Sequence, residues 1–269
     1  MNRLQIDPPP DDVTPDATPV DASTSTTLAS AVYDRLRQDI LRGELTPGDK
    51  LRIEFVSARY EAGHSPVREA LNRLSADGLV HRREQRGFHV APASADDLVE
   101  LTQTRCWLEE IGLRESMRTF SREWEEGVVL ALHRLQQVPR STSPTTYREN
   151  PEWERLHRAF HRSLIAGCGS RWLLTFCDQL ADQAYRYRQL SVQRIYPKRH
   201  ENDEHRAIVD AIFRRDADAA VALLADHFQV TANIILRSGG VPGSTPSHTP
   251  ATRTRRQMAP ATRRRTTKN

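Results

Sequence analysis

The sequence predicts a mainly α chain in two parts: three helices closed by a β-hairpin, then an all-α helical bundle. Three observations predict it. Gly63 to Pro92 reads GHSPVREALNRLSADGLVHRREQRGFHVAP, a turn, an amphipathic helix and two short apolar segments around a glycine tip. Ser94 to Arg237 repeats apolar residues at helical spacing without sustained strand alternation. Pro92–Ser94 interrupts both patterns and marks the boundary.

The 269 residues give room for two modest domains, each able to bury a core. Expected boundaries are a disordered tail at 1–27, a reading unit at 28–92, a helical domain at 93–238 and a disordered basic tail at 239–269. The first tail is rich in Pro, Asp and Thr and carries no apolar core of a signal peptide. No apolar run approaches the roughly 18 residues of a membrane span. Cys106, Cys168 and Cys177 are sparse and lack CxxC spacing, as expected of reduced thiols in a cytoplasmic protein. The formal charge of +4 belongs to the C-terminal tail: Gly239–Asn269 holds seven basic residues and no acidic ones, so without it the charge is −3. Basicity alone therefore says nothing about the domain at 28–92.

Within that domain, Val32, Leu36, Ile40 and Leu41 fall at helical spacing from Leu28 to Arg42, and Gly43 stops the helix. A turn at Leu45–Gly48 leads to a short helix, Ile53 to Tyr60. Ser65 is expected as N-cap of the next helix, with Pro66 at its first position and Val67, Ala70, Leu71 and Leu74 as buried stripe. Strands are expected over Leu79–Arg82 and Phe88–Ala91, joined by a polar hairpin containing Gly87. Turn, capped helix and hairpin together are the DNA-reading half of a winged helix-turn-helix.

In such a unit the N-terminal residues of the reading helix reach base edges in the major groove. Those are His64, Ser65 and Arg68, and Arg68 is the expected bidentate partner for guanine. Arg52, Arg59 and Arg73 are expected on phosphates, and Arg86 with Gly87 at a wing tip beside the minor groove. Any single one of these arginines also fits a solvated face.

The run Gly43 to Leu51 (G-x-L-x-P-G-x-x-L), with Ser65 to Val80 (S-P-V-R-E-A-L-x-R-L-x-x-x-G-L-V) and Arg86 to Val90 (R-G-F-x-V), resembles the GntR family of bacterial transcriptional regulators. That resemblance implies a homodimer reading a double-stranded, pseudopalindromic operator, and implies repression. One departure is Gly63-His64, where the family usually has Ser-Arg.

Six helices are expected in the second part: from Ser94, with Leu98, Leu101, Arg105, Leu108 and Ile111 on one face, then Ser121–Gln137, Pro151–Ala166, Trp172–Ser191, His200–Arg214 and Ala217–Leu236. Four histidines lie on or beside their apolar stripes. His157 and His161 are four apart and share a face. His205 accompanies Ile208, Val209 and Ile212, and His227 accompanies Leu223, Leu224 and Val230. Bundle interiors are where facing side chains build metal sites, and neutral imidazoles suit a divalent transition metal, Zn²⁺ or Ni²⁺. Satisfied structural histidines are the alternative.

The helical segment is similar to the FCD effector domain of the FadR branch of that family. The resemblance implies ligation by His161, His205 and His227. His157 stands where the family more often has aspartate or asparagine. It further implies a metal that anchors the carboxylate of a small metabolite, with an arginine completing the grip. Arg105, in T-R-C-W-L-E, matches the family's R-x-x-L-E arginine; a salt bridge to Glu109 is its alternative. Arg186 is a further effector candidate, as is Arg188, which is expected to face solvent. The run FHRSLIAGCGSRWLL with YRYRQLS most resembles the CsiR-like branch, implying a small dicarboxylate such as glutarate.

Two other function classes compete with this reading. An enzyme built on the metal site lacks the glutamate of H-E-x-x-H, a nucleophile motif and a phosphate loop, so no catalysis is expected. A nonspecific nucleic-acid binder would depend on the basic tail. A regulator whose metal is purely structural is the remaining variant. Cytoplasmic location, on the nucleoid when DNA-bound, and no membrane contact follow as expectations.

Overall fold

The computed structural model describes residues 27–195 and 201–241, with backbone only at 192–195. The expected tails at 1–26 and 242–269 lie outside the described residues. Both ordered ends reach slightly into the expected tails. Thr27 caps the first helix by accepting from the Ser30 N–H, and Val241 is buried against the domain junction.

The head consists of α1 (Leu28–Arg42), β1 (Lys50–Leu51), α2 (Ile53–Tyr60), α3 (His64–Ala76), β2 (Val80–Arg83) and β3 (Gly87–Val90). Gly43, at φ +78°, ends α1 in the left-handed region and returns its N–H to Asp39 and Ile40. Val32, Leu36 and Ile40 of α1 share a core with Val67, Leu71 and Leu74 of α3, so α1 is the platform on which α3 rests. The sheet runs β1-β3-β2, antiparallel throughout, with Val80 opposite Val90 and Arg83 opposite Gly87.

Two expectations change here. β1 is a third strand that two residues are too short to announce by alternation. The cap of α3 is Gly63, not Ser65, so Ser65 and Pro66 occupy its second and third positions. Proline is tolerated there because the first four N–H groups of a helix have no intrahelical partner.

The bundle comprises α4 (Ala95–Thr119), α5 (Arg122–Gln136), α6 (Pro151–Leu164), α7 (Arg171–Ile195), α8 (Glu201–Phe213) and α9 (Ala217–Arg237), with a 3₁₀ turn at Ala166–Cys168. Ser94 caps α4 through the Asp97 N–H, Ser121 caps α5, and Asn150 caps α6 ahead of Pro151. Along α4 the buried stripe is Leu98, Leu101, Cys106 and Leu113; Ile111, expected inside, is exposed. α9 is long and apolar enough to span a membrane, contrary to expectation. Ala220, Leu224, Phe228 and Ile235 pack it into the bundle, which accounts for that composition.

α7 joins the two parts. Gln183 Nε2 donates to the Asp77 carbonyl at 3.3 Å, just past the end of α3. Arg186 donates to the Ala91 carbonyl, and the Tyr187 hydroxyl accepts from the Ser94 N–H at 3.1 Å. The inter-domain strap 91–94 is thus tied to the bundle.

Candidate nucleic-acid interface and metal centre

On the head, the outer face of α3 presents Ser65, Arg68, Glu69, Asn72 and Arg73 as one open surface, with His64 exposed at its start. Asn72 was not anticipated. It is exposed one turn beyond Arg68, and asparagine pairs bidentately with adenine. The wing turn places Arg86 and Gly87 in solvent, Gly87 at φ +80°. Arg52 is exposed at the cap of α2. Arg73 lies 4.1 Å above the Tyr33 ring and donates to Ser30 Oγ at 3.2 Å. Arg59 departs from expectation. Its guanidinium donates to Asp39 at 2.7 Å and Glu44 at 3.2 Å, bracing α2 against α1. A phosphate would have to compete with both carboxylates.

Inside the bundle, α6, α8 and α9 bring His157, His161, His205 and His227 together with one nitrogen from each within 4.8 Å of the others. His161, His205 and His227 are buried, His157 less so. Burial pushes His157 and His161 well below the ordinary histidine value, with the neighbouring histidines and Arg188 acting in the same direction. Both rings are therefore neutral at physiological pH, the state that ligates a metal.

The donor set fits a transition metal. It is all imidazole, and the His157–His161 Nε2 separation of 3.2 Å is close to the edge of a tetrahedron with metal–nitrogen bonds of about 2.0–2.1 Å. Glu204, one residue before His205, meets His227 Nδ1 at 2.8 Å. Such a carboxylate holds the proton on Nδ1 and leaves Nε2 for coordination. His157 is oriented differently. Arg188 Nη1 lies 3.2 Å from its Nδ1, and a guanidinium only donates, so Nδ1 accepts and the ring proton sits on Nε2. Coordination through Nε2 requires that bond to break, which sets His157 apart from the other three.

A cavity of about 460 Å³ opens beside the cluster, lined by His157, His161 and His227. Arg105 lines it, 4.0 Å from the Phe228 ring and bonded to buried Glu109 at 2.7 Å. Expected roles and alternative coincide: Arg105 is both salt-bridged and cavity-facing. Burial raises the Glu109 carboxyl and Arg105 opposes that rise. Arg186 is not in the lining; its guanidinium is spent on the strap. Arg188 is, only 13% exposed and paired with Glu154. Arg188 rather than Arg186 faces the cavity because that face of α7 runs Asp178, Ala181, Asp182, Tyr185, Arg188, and Arg186, itself buried, points about 160° round the helix from Arg188.

A winged helix on a bundle with such a pocket defines a class, the two-domain DNA-binding transcriptional regulator. Comparison with known proteins makes it particular. Residues 28–90 match the model of bacterial regulatory proteins of the gntR family, and residues 100–230 match the FCD domain. The chain is 38% identical over 224 residues to the HTH-type transcriptional regulator BphR of Paraburkholderia xenovorans (strain LB400), covering 83% of this chain and 91% of that one. It is 33% identical to the HTH-type transcriptional repressor GlaR of Escherichia coli (strain K12), covering 76% and 93%. Among solved structures, E. coli McbR/YncC shares the fold with a TM-score of 0.64 at 20% identity, over 78% of this chain and 98% of that chain. The chain belongs to the GntR family of transcriptional regulators, with an FCD domain; it is a DNA-binding regulator and not an enzyme.

Proposed function

We propose that this regulator is a cytoplasmic homodimeric repressor that binds a pseudopalindromic operator and responds to a small carboxylate, with a dicarboxylate preferred. The observation that carries the reading is one cavity bounded by clustered histidines and by inward-facing Arg105 and Arg188. His161, His205 and His227 would hold Zn²⁺ or Ni²⁺, with His157 as fourth donor. The metal would supply a Lewis-acidic anchor for one carboxylate. Arg105 and Arg188 supply donors in fork geometry for the same group, and burial strengthens those bonds.

On DNA, Arg68 is assigned to a guanine edge, His64 and Ser65 to neighbouring bases, Arg52 and Arg73 to phosphates and Arg86 with Gly87 to the minor groove. Repression is supported by the name of the relative GlaR. For the dimer, Trp107 and Ile111 of α4 and Trp172 and Phe176 of α7 are exposed on two helices that pack together, an apolar surface suited to a second copy. An effector acts only through unequal affinity for DNA-competent and incompetent arrangements.

The test is a thermal-shift screen of mono- and dicarboxylates on full-length protein with and without Zn²⁺ or Ni²⁺, followed by operator binding. The expected result is metal-dependent stabilisation by a carboxylate that also weakens operator binding. Stabilisation by metal alone, with no carboxylate effect on either readout, would favour a purely structural metal.

A further inference from the structure

The cavity beside the histidines is also walled by the DNA-reading head. Arg37, Gln38, Leu41 and Arg42 of α1 stand in the same lining as the histidines. Helix α6 contributes to the same lining, since His157 and His161 are each followed by a cavity-lining arginine, Arg158 and Arg162.

Charge is unevenly matched along this lining. Arg105 pairs with Glu109, Arg188 with Glu154, Arg140 with Glu201 and Arg42 with Glu149. Where α1, α6 and α7 meet, the matching fails. Arg37 of α1 and Arg158 of α6 both pair with Asp182 of α7, while Arg162 takes Asp178 at 3.1 Å. Three guanidinium groups share two carboxylates. Arg37 and Asp182 are only 25% and 15% exposed, so water screens that pair incompletely, whereas Arg158 and Arg162 reach solvent.

We propose that Arg37 and Arg158 form a second anion subsite, shared between the two domains, for the distal carboxylate of a dianionic small molecule whose first carboxylate lies at the histidine end. This rests on the effector reading above, including its dicarboxylate preference, and adds a distal subsite with a contact residue in the reading head. The distal carboxylate neutralises the surplus guanidinium, in competition with Asp182. Leu36 and Ile40, on either side of Arg37 in α1, pack in the core shared with α3. Ligand contact at Arg37 is therefore contact with the platform of the reading helix. A monocarboxylate held at the histidine end makes no such contact and lacks that leverage on DNA binding.

Calorimetric titration of metal-loaded, full-length protein with straight-chain dicarboxylates from malonate to adipate, and with monocarboxylates of matching length, tests the subsite. Wild type should prefer one dicarboxylate over its matched monocarboxylate by roughly tenfold to a hundredfold. Arg37→Gln should lower dicarboxylate affinity to that of the monocarboxylate. Asp182→Asn removes the internal competitor and should strengthen dicarboxylate binding, which keeps the test decisive if Arg37→Gln folds poorly. Monocarboxylate binding without dicarboxylate preference, or a preference unmoved by both substitutions, overturns the subsite and leaves the effector reading standing. Binding of neither class overturns the effector reading, and the subsite with it.

Discussion

The head and the bundle use the same two residue types, arginine and histidine, in opposite ways. On α3, Arg68, Arg73 and His64 are exposed. In the bundle, Arg188 is 13% exposed, and His161, His205 and His227 are buried. An exposed guanidinium keeps its hydration until a phosphate or base replaces it, so it provides a steered, salt-sensitive contact. A buried one has lost water already and must be paired, so its geometry is set in advance by Glu109, Glu154 or Asp182. Arrangement, not residue type, separates the DNA-reading face from the buried, charge-paired cavity of the bundle.

The sharpest way to break this contrast is to substitute both His205 and His227 by alanine. Metal should fall from stoichiometric to undetectable by elemental analysis; normal metal content would remove the receptor half of the comparison. Glu204→Gln is the next largest effect. It keeps every ligand and loses the carboxylate on His227 Nδ1, so metal affinity should drop by roughly 10- to 100-fold in a competition titration.

On the reader side, Arg68→Ala should cost about 1–3 kcal/mol of discrimination at one base position, measured against operator variants. Loss of affinity equal across all variants would reduce Arg68 to a phosphate contact. Protons distinguish the regions too. His157 and His161 have folded values well below 6.5, so as pH falls through 6.5 the unfolded chain takes up protons that the folded one does not. Stability of metal-free protein should be flat above that pH and fall below it, by up to about 1.4 kcal/mol per pH unit for each histidine. A melting temperature unchanged on acidification would mean that these rings are not held neutral by the fold.

The smallest effect is assigned to Arg59→Ala. Its carboxylate partners are partly exposed, so the loss in stability should stay within about 1 kcal/mol. The salt dependence of DNA binding should not change; a slope lowered by about one would return Arg59 to the phosphates.

Much of this was legible in the chain. The spacing of Val67, Ala70, Leu71 and Leu74 announced the reading helix, and the histidines on apolar stripes announced the cluster. β1 was not legible, because a two-residue strand has no period and exists only through pairing with β3. The ion pairs of Arg59 have no local signature, because Asp39 and Glu44, 20 and 15 residues away in sequence, reach it only once α1 and α2 pack. Neither Arg186 nor Arg188 is exposed, and composition does not say which of the two faces of α7 looks into the cavity. Glu204 stood beside His205 in plain sight; its role depended on the approach of α9.

Sequence by itself determined the helices, the exposed arginines of the reading face and the supply of four imidazoles, because these follow from local period and residue chemistry. Tertiary structure alone decided which charges are spent internally, which face of α7 lines the cavity, and that Arg37 of the head stands in the same chamber as the histidines. Those outcomes depend on burial and on pairing between residues more than a hundred positions apart, such as Arg37 and Asp182. Such pairings have no local signature in a chain.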